Sequence, residues 1–111
     1  MEAACRGAKA GGGTTLGILP GLDRREANPY VDLAVPTGFG EARNALVVRA
    51  AGALVAVGGG HGTLSEIALA LKGGKPVVGL DSWEIDGVQP AEAPSDAVRT
   101  ALASIGDRPR A

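Results

Sequence analysis

The chain has 111 residues, 45% hydrophobic and 21% charged, with a net charge of −1. That length holds at most one small domain, and the near-neutral balance gives no general surface for nucleic acid or an acidic membrane. One cysteine and one histidine exclude an internal disulfide, a cysteine metal framework and a histidine-rich metal site.

Met1, Ala4, Cys5 and Ala8 fall on one helical stripe, which Gly11-Gly12-Gly13 stops. No cap precedes Met1, so the chain is expected to begin inside a helix, with an N-terminal portion missing. Residues 14–19 read as a short strand ended by Pro20-Gly21. Residues 22–30 read as loop, 31–35 as a short strand ended by Pro36, and 37–40 as a second loop. A helix is predicted over 41–51, with Leu46, Val47 and Ala50 as its apolar stripe. Arg43 shares that stripe, and a guanidinium on a buried face needs a partner. Either a ligand at the sheet edge supplies it, or the side chain snorkels to solvent.

Residues 54–57 form a valine-rich run suited to a strand covered on both faces. Four of the next five residues are glycine, and Thr63-Leu64-Ser65-Glu66 fits a capping box. The helix so opened runs to Lys72, with Leu64, Ile67, Ala68 and Leu71 inward, and ends at Gly73-Gly74. Residues 77–80 are another apolar strand, and 81–94 a mixed loop with Trp83, Pro90 and Pro94. Ser95 caps a last helix with the stripe Val98, Ala101, Leu102 and Ile105, stopped by Gly106; 107–111 read as a flexible tail. Strands alternating with helices predict an α/β fold with a doubly wound parallel sheet, as one domain over 1–106. No apolar run approaches the roughly 18 residues of a membrane span, and no basic region with an apolar core opens the chain, so the expected location is cytoplasmic.

A strand feeding glycines into a helix start is a device for anion binding, because the first-turn N–H groups are unpaired and carry the positive end of the helix dipole. The run is not a P-loop, since no Gly-Lys-Ser/Thr ends it, and Thr63 stands where a dinucleotide fingerprint has its third glycine. The other reading is a tight turn without a ligand. His61 either touches a ligand or is simply exposed, and Trp83 is a lid over the sheet edge or a stacking platform. Glu66 either caps its own helix or does chemistry. Arg43 and Glu66 gain weight as a pair, since helix starts in a doubly wound sheet share its carboxyl edge. A cation and a carboxylate flanking a phosphate nest suit cleavage of an N-glycosidic bond in a nucleotide.

V-G-G-G-H-G-T-L-S-E resembles the P-G-G-x-G-T-x-x-E signature of the LOG (lonely guy) family. These are Rossmann-like proteins, many of them nucleoside 5′-monophosphate phosphoribohydrolases. Arg43 also stands at the family's spacing ahead of the motif Glu. The likeness extends through A-R-N-A-L-V-V-R-A-A-G-A-L-V-A-V and G-K-P-V-V-G-L. M-E-A-A-C-R-G-A and T-L-G-I-L-P-G are similar to the branch that includes molybdenum-cofactor carrier proteins. Carried onto this sequence, Gly59, Gly60, Gly62 and Thr63 hold the nucleotide phosphate, with Gly58, His61 and Asn44 beside them, and Arg43 and Glu66 are catalytic.

Three departures stand out. Gly58 replaces the family proline, Asn44 replaces the lysine after the catalytic Arg in the hydrolase branch, and residues 67–71 lack that branch's acidic and threonine positions. They weaken hydrolysis more than phosphate binding. The resemblance therefore implies one of two functions. The first is hydrolysis of a nucleoside 5′-monophosphate to base and ribose 5-phosphate, with no cofactor or metal required. The second is non-catalytic carriage of a phosphorylated cofactor such as molybdopterin, with molybdenum cofactor as the bound ligand. It further implies a homodimer, a nucleoside monophosphate or related phosphorylated small molecule as partner, and a Rossmann-like sheet lacking its first strands, which relatives carry ahead of the segment matching Met1.

Overall fold

The computed structural model describes residues 1–106; the tail expected at 107–111 lies outside the described residues. The elements gather in two compact units, Met1–Arg43 and the chain from Asn44 onward. Each is described by itself.

The first unit holds α1 (Glu2–Ala10), β1 (Leu16–Leu19), a 3₁₀ turn at Arg24–Glu26, β2 (Leu33–Pro36) and a second 3₁₀ turn at Gly40–Ala42. The glycine run stops α1 as its sequence predicts. Gly11 N–H still donates to Gly7 O at 3.1 Å, and Gly12 then takes a positive φ of 81°. β1 and β2 pair in parallel, Leu16 opposite Leu33 and Ile18 opposite Val35. Alternation puts those four side chains on one face. Ahead of the strands, Asp32 joins α1 to the sheet. Its carboxylate accepts from Thr15 N–H and from Lys9 Nζ, both at 2.9 Å, while its own N–H donates to Thr15 Oγ1 at 2.8 Å. The Thr15 amide first, and Lys9 second, hold the Asp32 carboxyl below the ordinary carboxylate range.

The second unit takes in all but the first residue of α2 (Arg43–Ala50), then β3 (Leu54–Val57), α3 (His61–Lys72), β4 (Val77–Leu80), β5 (Val88–Ala91) and α4 (Pro94–Gly106). Its sheet has the order β3-β4-β5, all parallel, with Leu54 opposite Val77 and Val77 opposite Val88. Successive β4 residues point to opposite faces, and both faces are covered. Val77 joins Val48, Ala56, Ile67 and Ala70 under α2 and α3. Val78 joins Ala91, Ala97 and Ala101 under α4. Helices on both faces of a parallel sheet make the doubly wound α/β arrangement expected from the alternation. Lys75 ties this unit's β4 approach to α2, donating to the carbonyls of Val48, Arg49 and Ala51 at the end of that helix.

Five local expectations are corrected. The helix after the glycines starts at His61 with Gly60 as its N-cap, so Thr63 lies inside the first turn and the capping box is not formed. Residues 81–94 contain the edge strand β5, which tolerates Pro90 because an edge strand needs only one set of ladder bonds. On α2 the most buried side chains are Asn44 and Val48, and Ala50 is exposed. On α3 Ala70 is buried and Ala68 exposed. On α4 the buried face is Ala97 and Ala101, with Val98 and Leu102 53% and 59% exposed. Small residues pack closest to the sheet here, and the larger apolar ones take the flanks.

Candidate functional site

β3 runs straight into the glycine loop. Gly58 N–H donates to Leu80 O at 3.3 Å, and Gly58 then turns the chain with φ 81°, a conformation that costs side-chain-bearing residues about 1 kcal/mol or more. A Cβ built on Gly58, Gly59 or Gly60 would meet nothing within 4 Å, so the backbone there is open to a ligand. Gly60 is extended (φ −70°, ψ 159°) and accepts Leu64 N–H at 3.0 Å, the first bond of α3. As a glycine it brings no side-chain oxygen to the first-turn amides. Helix geometry leaves the N–H groups of His61, Gly62 and Thr63 without intrahelical acceptors, at the positive end of a twelve-residue helix.

The loop is held from two sides. Trp83, in the segment after β4, donates its indole N–H to Gly60 O at 3.2 Å, and its ring stacks on exposed His61 with centroids 6.2 Å apart and planes 23° apart. From the other side, buried Asn44 donates to Ser65 Oγ at 3.2 Å, and Ser65 Oγ donates to Gly62 O at 3.1 Å. Asn44 therefore reaches the glycine loop through Ser65. Sequence reading did not single out Ser65, although a Ser three residues after a glycine in the first helical turn is placed to back-bond its carbonyl.

The remaining candidates lie as follows. Thr63 is half-buried within the first turn of α3, and half-buried Glu66 follows beyond it. Arg43 closes the first unit. Its Nη1 donates to Ile18 O at 2.8 Å, and its buried Nε has no partner. The partner demanded by a guanidinium on a helix's inner face is thus supplied in part by a strand carbonyl. Within the second unit the structure brings Asn44, Gly62 and Ser65 together, and likewise Gly60, His61 and Trp83.

Beyond β4 lies a recess of about 520 Å³ lined by Asp81, Ser82, Trp83, Glu84, Asp86 and Val88 among others. Asp81 opens it with a positive φ of 50°. Its carboxylates disfavour an anion, so the recess is not suited to a phosphate. Among the described residues no group of three His, Cys, Asp or Glu is placed to hold a metal ion, and no helix is long and apolar enough to cross a membrane.

Residues 1–104 match the SLOG cluster4 family. A protein of Archaeoglobus fulgidus is 43% identical over 105 residues, which are 94% of this chain and 69% of that one. The solved structure of the molybdenum cofactor binding protein from Rippkaea orientalis is 37% identical with a TM-score of 0.84, over 93% of this chain and 69% of that one. The Moco carrier protein from Chlamydomonas reinhardtii is 36% identical with a TM-score of 0.83, over 97% and 72%. These likenesses agree with the Rossmann-like α/β arrangement and with the LOG resemblance of the glycine motif.

Proposed function

This chain belongs to the SLOG cluster4 family, and from that premise we propose that it binds a phosphorylated small molecule at the start of α3 and carries it, with molybdenum cofactor as the cargo. The observation that carries this reading is the glycine-capped start of α3. Its first-turn amides face no capping side chain, and the three preceding glycines leave open space where side chains would stand. A phosphate needs just such donors. Support for the cargo comes from relatives more than one-third identical, which are described as molybdenum cofactor binding and carrier proteins. In this reading Gly58, Gly59, Gly60, Gly62 and Thr63 surround the phosphate, with His61 at the rim. The homodimer and the cytoplasmic location belong to the same proposal, and sedimentation of the purified protein measures the first.

The test is retention of cargo. The full chain, produced in a host that makes molybdenum cofactor, is expected to co-purify with it, identified by mass spectrometry. Gly59→Glu places a carboxylate in open space beside the amides and should lower retention about tenfold or more through like-charge repulsion. Wild-type protein that retains no phosphorylated ligand would overturn the reading.

The hydrolase is the second reading. Arg43, with its buried unpartnered Nε, is the observation in its favour, since a guanidinium with a spare donor can serve an oxyanion. Glu66 would then be the catalytic carboxylate. Release of adenine from AMP, measured chromatographically, separates the two readings.

A further inference from the structure

We infer that Trp83, Ser65 and Asn44 are positioning residues that leave the glycine loop presenting hydrogen-bond donors alone, and so set its preference for an oxyanion. The inference rests on the phosphate reading of the α3 start. A glycine loop is not selective by itself, because every peptide unit offers a carbonyl acceptor as well as an N–H donor. An exposed carbonyl repels a phosphate as strongly as an amide attracts it. Selectivity requires that the carbonyls be turned away and occupied.

Both conditions are met at two peptide units. Gly60 O accepts from Leu64 N–H at 3.0 Å and from the Trp83 indole N–H at 3.2 Å, which fills its two lone pairs. Gly62 O accepts from Ser65 Oγ at 3.1 Å. In a trans peptide the carbonyl and the following N–H point in opposite directions across a rigid plane. Anchoring Gly60 O therefore aims the His61 N–H away from Trp83. Anchoring Gly62 O likewise aims the Thr63 N–H back out of the helix start.

Asn44 fixes the direction of the second anchor. A serine hydroxyl has one proton and can rotate it. Because the Asn44 amide donates to Ser65 Oγ at 3.2 Å, that oxygen is the acceptor on the Asn44 side and its proton is committed to Gly62 O. Asn44 is buried, so the relay is held rigidly. None of these three side chains needs to touch the ligand; they act through the backbone they orient.

The experiment measures inorganic phosphate binding to the full chain by calorimetry, with ¹H–¹⁵N spectra of the amides. Trp83→Phe keeps the ring and deletes the indole donor; Ser65→Ala deletes the hydroxyl; Ser65→Thr keeps it. Trp83→Phe and Ser65→Ala are each expected to weaken binding roughly three- to tenfold, the worth of one oriented hydrogen bond, with Ser65→Thr within about twofold of wild type. The phosphate-induced shift should diminish at the His61 amide in the first variant and at the Thr63 amide in the second. Unchanged affinity in both folded variants overturns the inference while leaving the phosphate site standing. A loss shared by Ser65→Thr and tracking the melting temperature also overturns it, since that is a structural effect. Wild-type protein that fails to bind phosphate overturns the site itself, and the inference with it.

Discussion

Asp32 shows how one side chain can organise a unit with almost no core. It accepts from the Thr15 amide and Lys9, and its own amide answers to Thr15 Oγ1. These donors stabilise the ionised form, so its folded pKa lies below the unfolded value of about 3.9. A depressed carboxylate pKa adds stability above the unfolded value, and that addition disappears as pH falls through the folded one. Asp32→Asn removes the charge at every pH. The wild-type melting temperature should therefore fall more steeply than that of Asp32→Asn between about pH 5 and pH 3, measured by circular dichroism. Equal slopes would show that the Asp32 cluster contributes nothing to acid sensitivity.

At the scale of elements, legibility follows the number of covered faces. β4 was readable to the residue because a strand buried on both faces is a continuous apolar run, and half-buried β3 keeps the same valine-rich pattern. β5 was hidden: Val-Gln-Pro-Ala has no alternation, Pro90 reads as a breaker, and residues 81–87 are short for a parallel crossover. The helices were found, and Ile67 and Ala101 face inward as expected, but the neighbouring positions Ala50, Ala68, Val98 and Leu102 are exposed. α4 places Ala97 and Ala101 against the sheet, and a stripe of alanines carries little hydrophobic signal beside Val98 and Leu102. The glycine motif was legible as a strand-to-helix loop with open backbone, whereas the Ser65 and Trp83 hydrogen bonds to it were not, because they depend on contacts between separate segments. Lys75 was equally silent in the sequence. It fastens three carbonyls at the end of α2, where a cation also suits the helix dipole. Lys75→Met should destabilise the protein by about 1–3 kcal/mol, read from urea unfolding. A loss under a few tenths would mean that water replaces the ammonium at no cost.

The whole molecule is uneven. Every buried hydrophobic residue among those described lies in the second unit, from Val48 to Ala101, and α1 has no buried residue. Local stability follows buried apolar contact. Amide exchange should accordingly be slowest at Val77–Leu80, sandwiched between covered faces, and fastest among regular elements at Glu2–Ala10. Comparable protection across both would show that α1 draws stability from a source other than burial in this chain. This asymmetry also places the candidate site on the firmer part: β3, α3 and β4, which carry the glycine loop and its approach to Trp83, contribute Ala56, Ile67, Ala70, Val77 and Val78 to the buried core.

Trp83 is the sole tryptophan in the chain. Its indole nitrogen is bonded to the N-cap carbonyl of α3 and its ring rests against the first residue of that helix. Indole emission responds to local polarity and to charge brought near the ring. A phosphate arriving at the loop would enter the immediate field of the one fluorophore that dominates the protein's ultraviolet emission. The molecule thus carries an intrinsic optical gauge beside the proposed binding loop, through which occupancy and the speed of loading would be followed without a label.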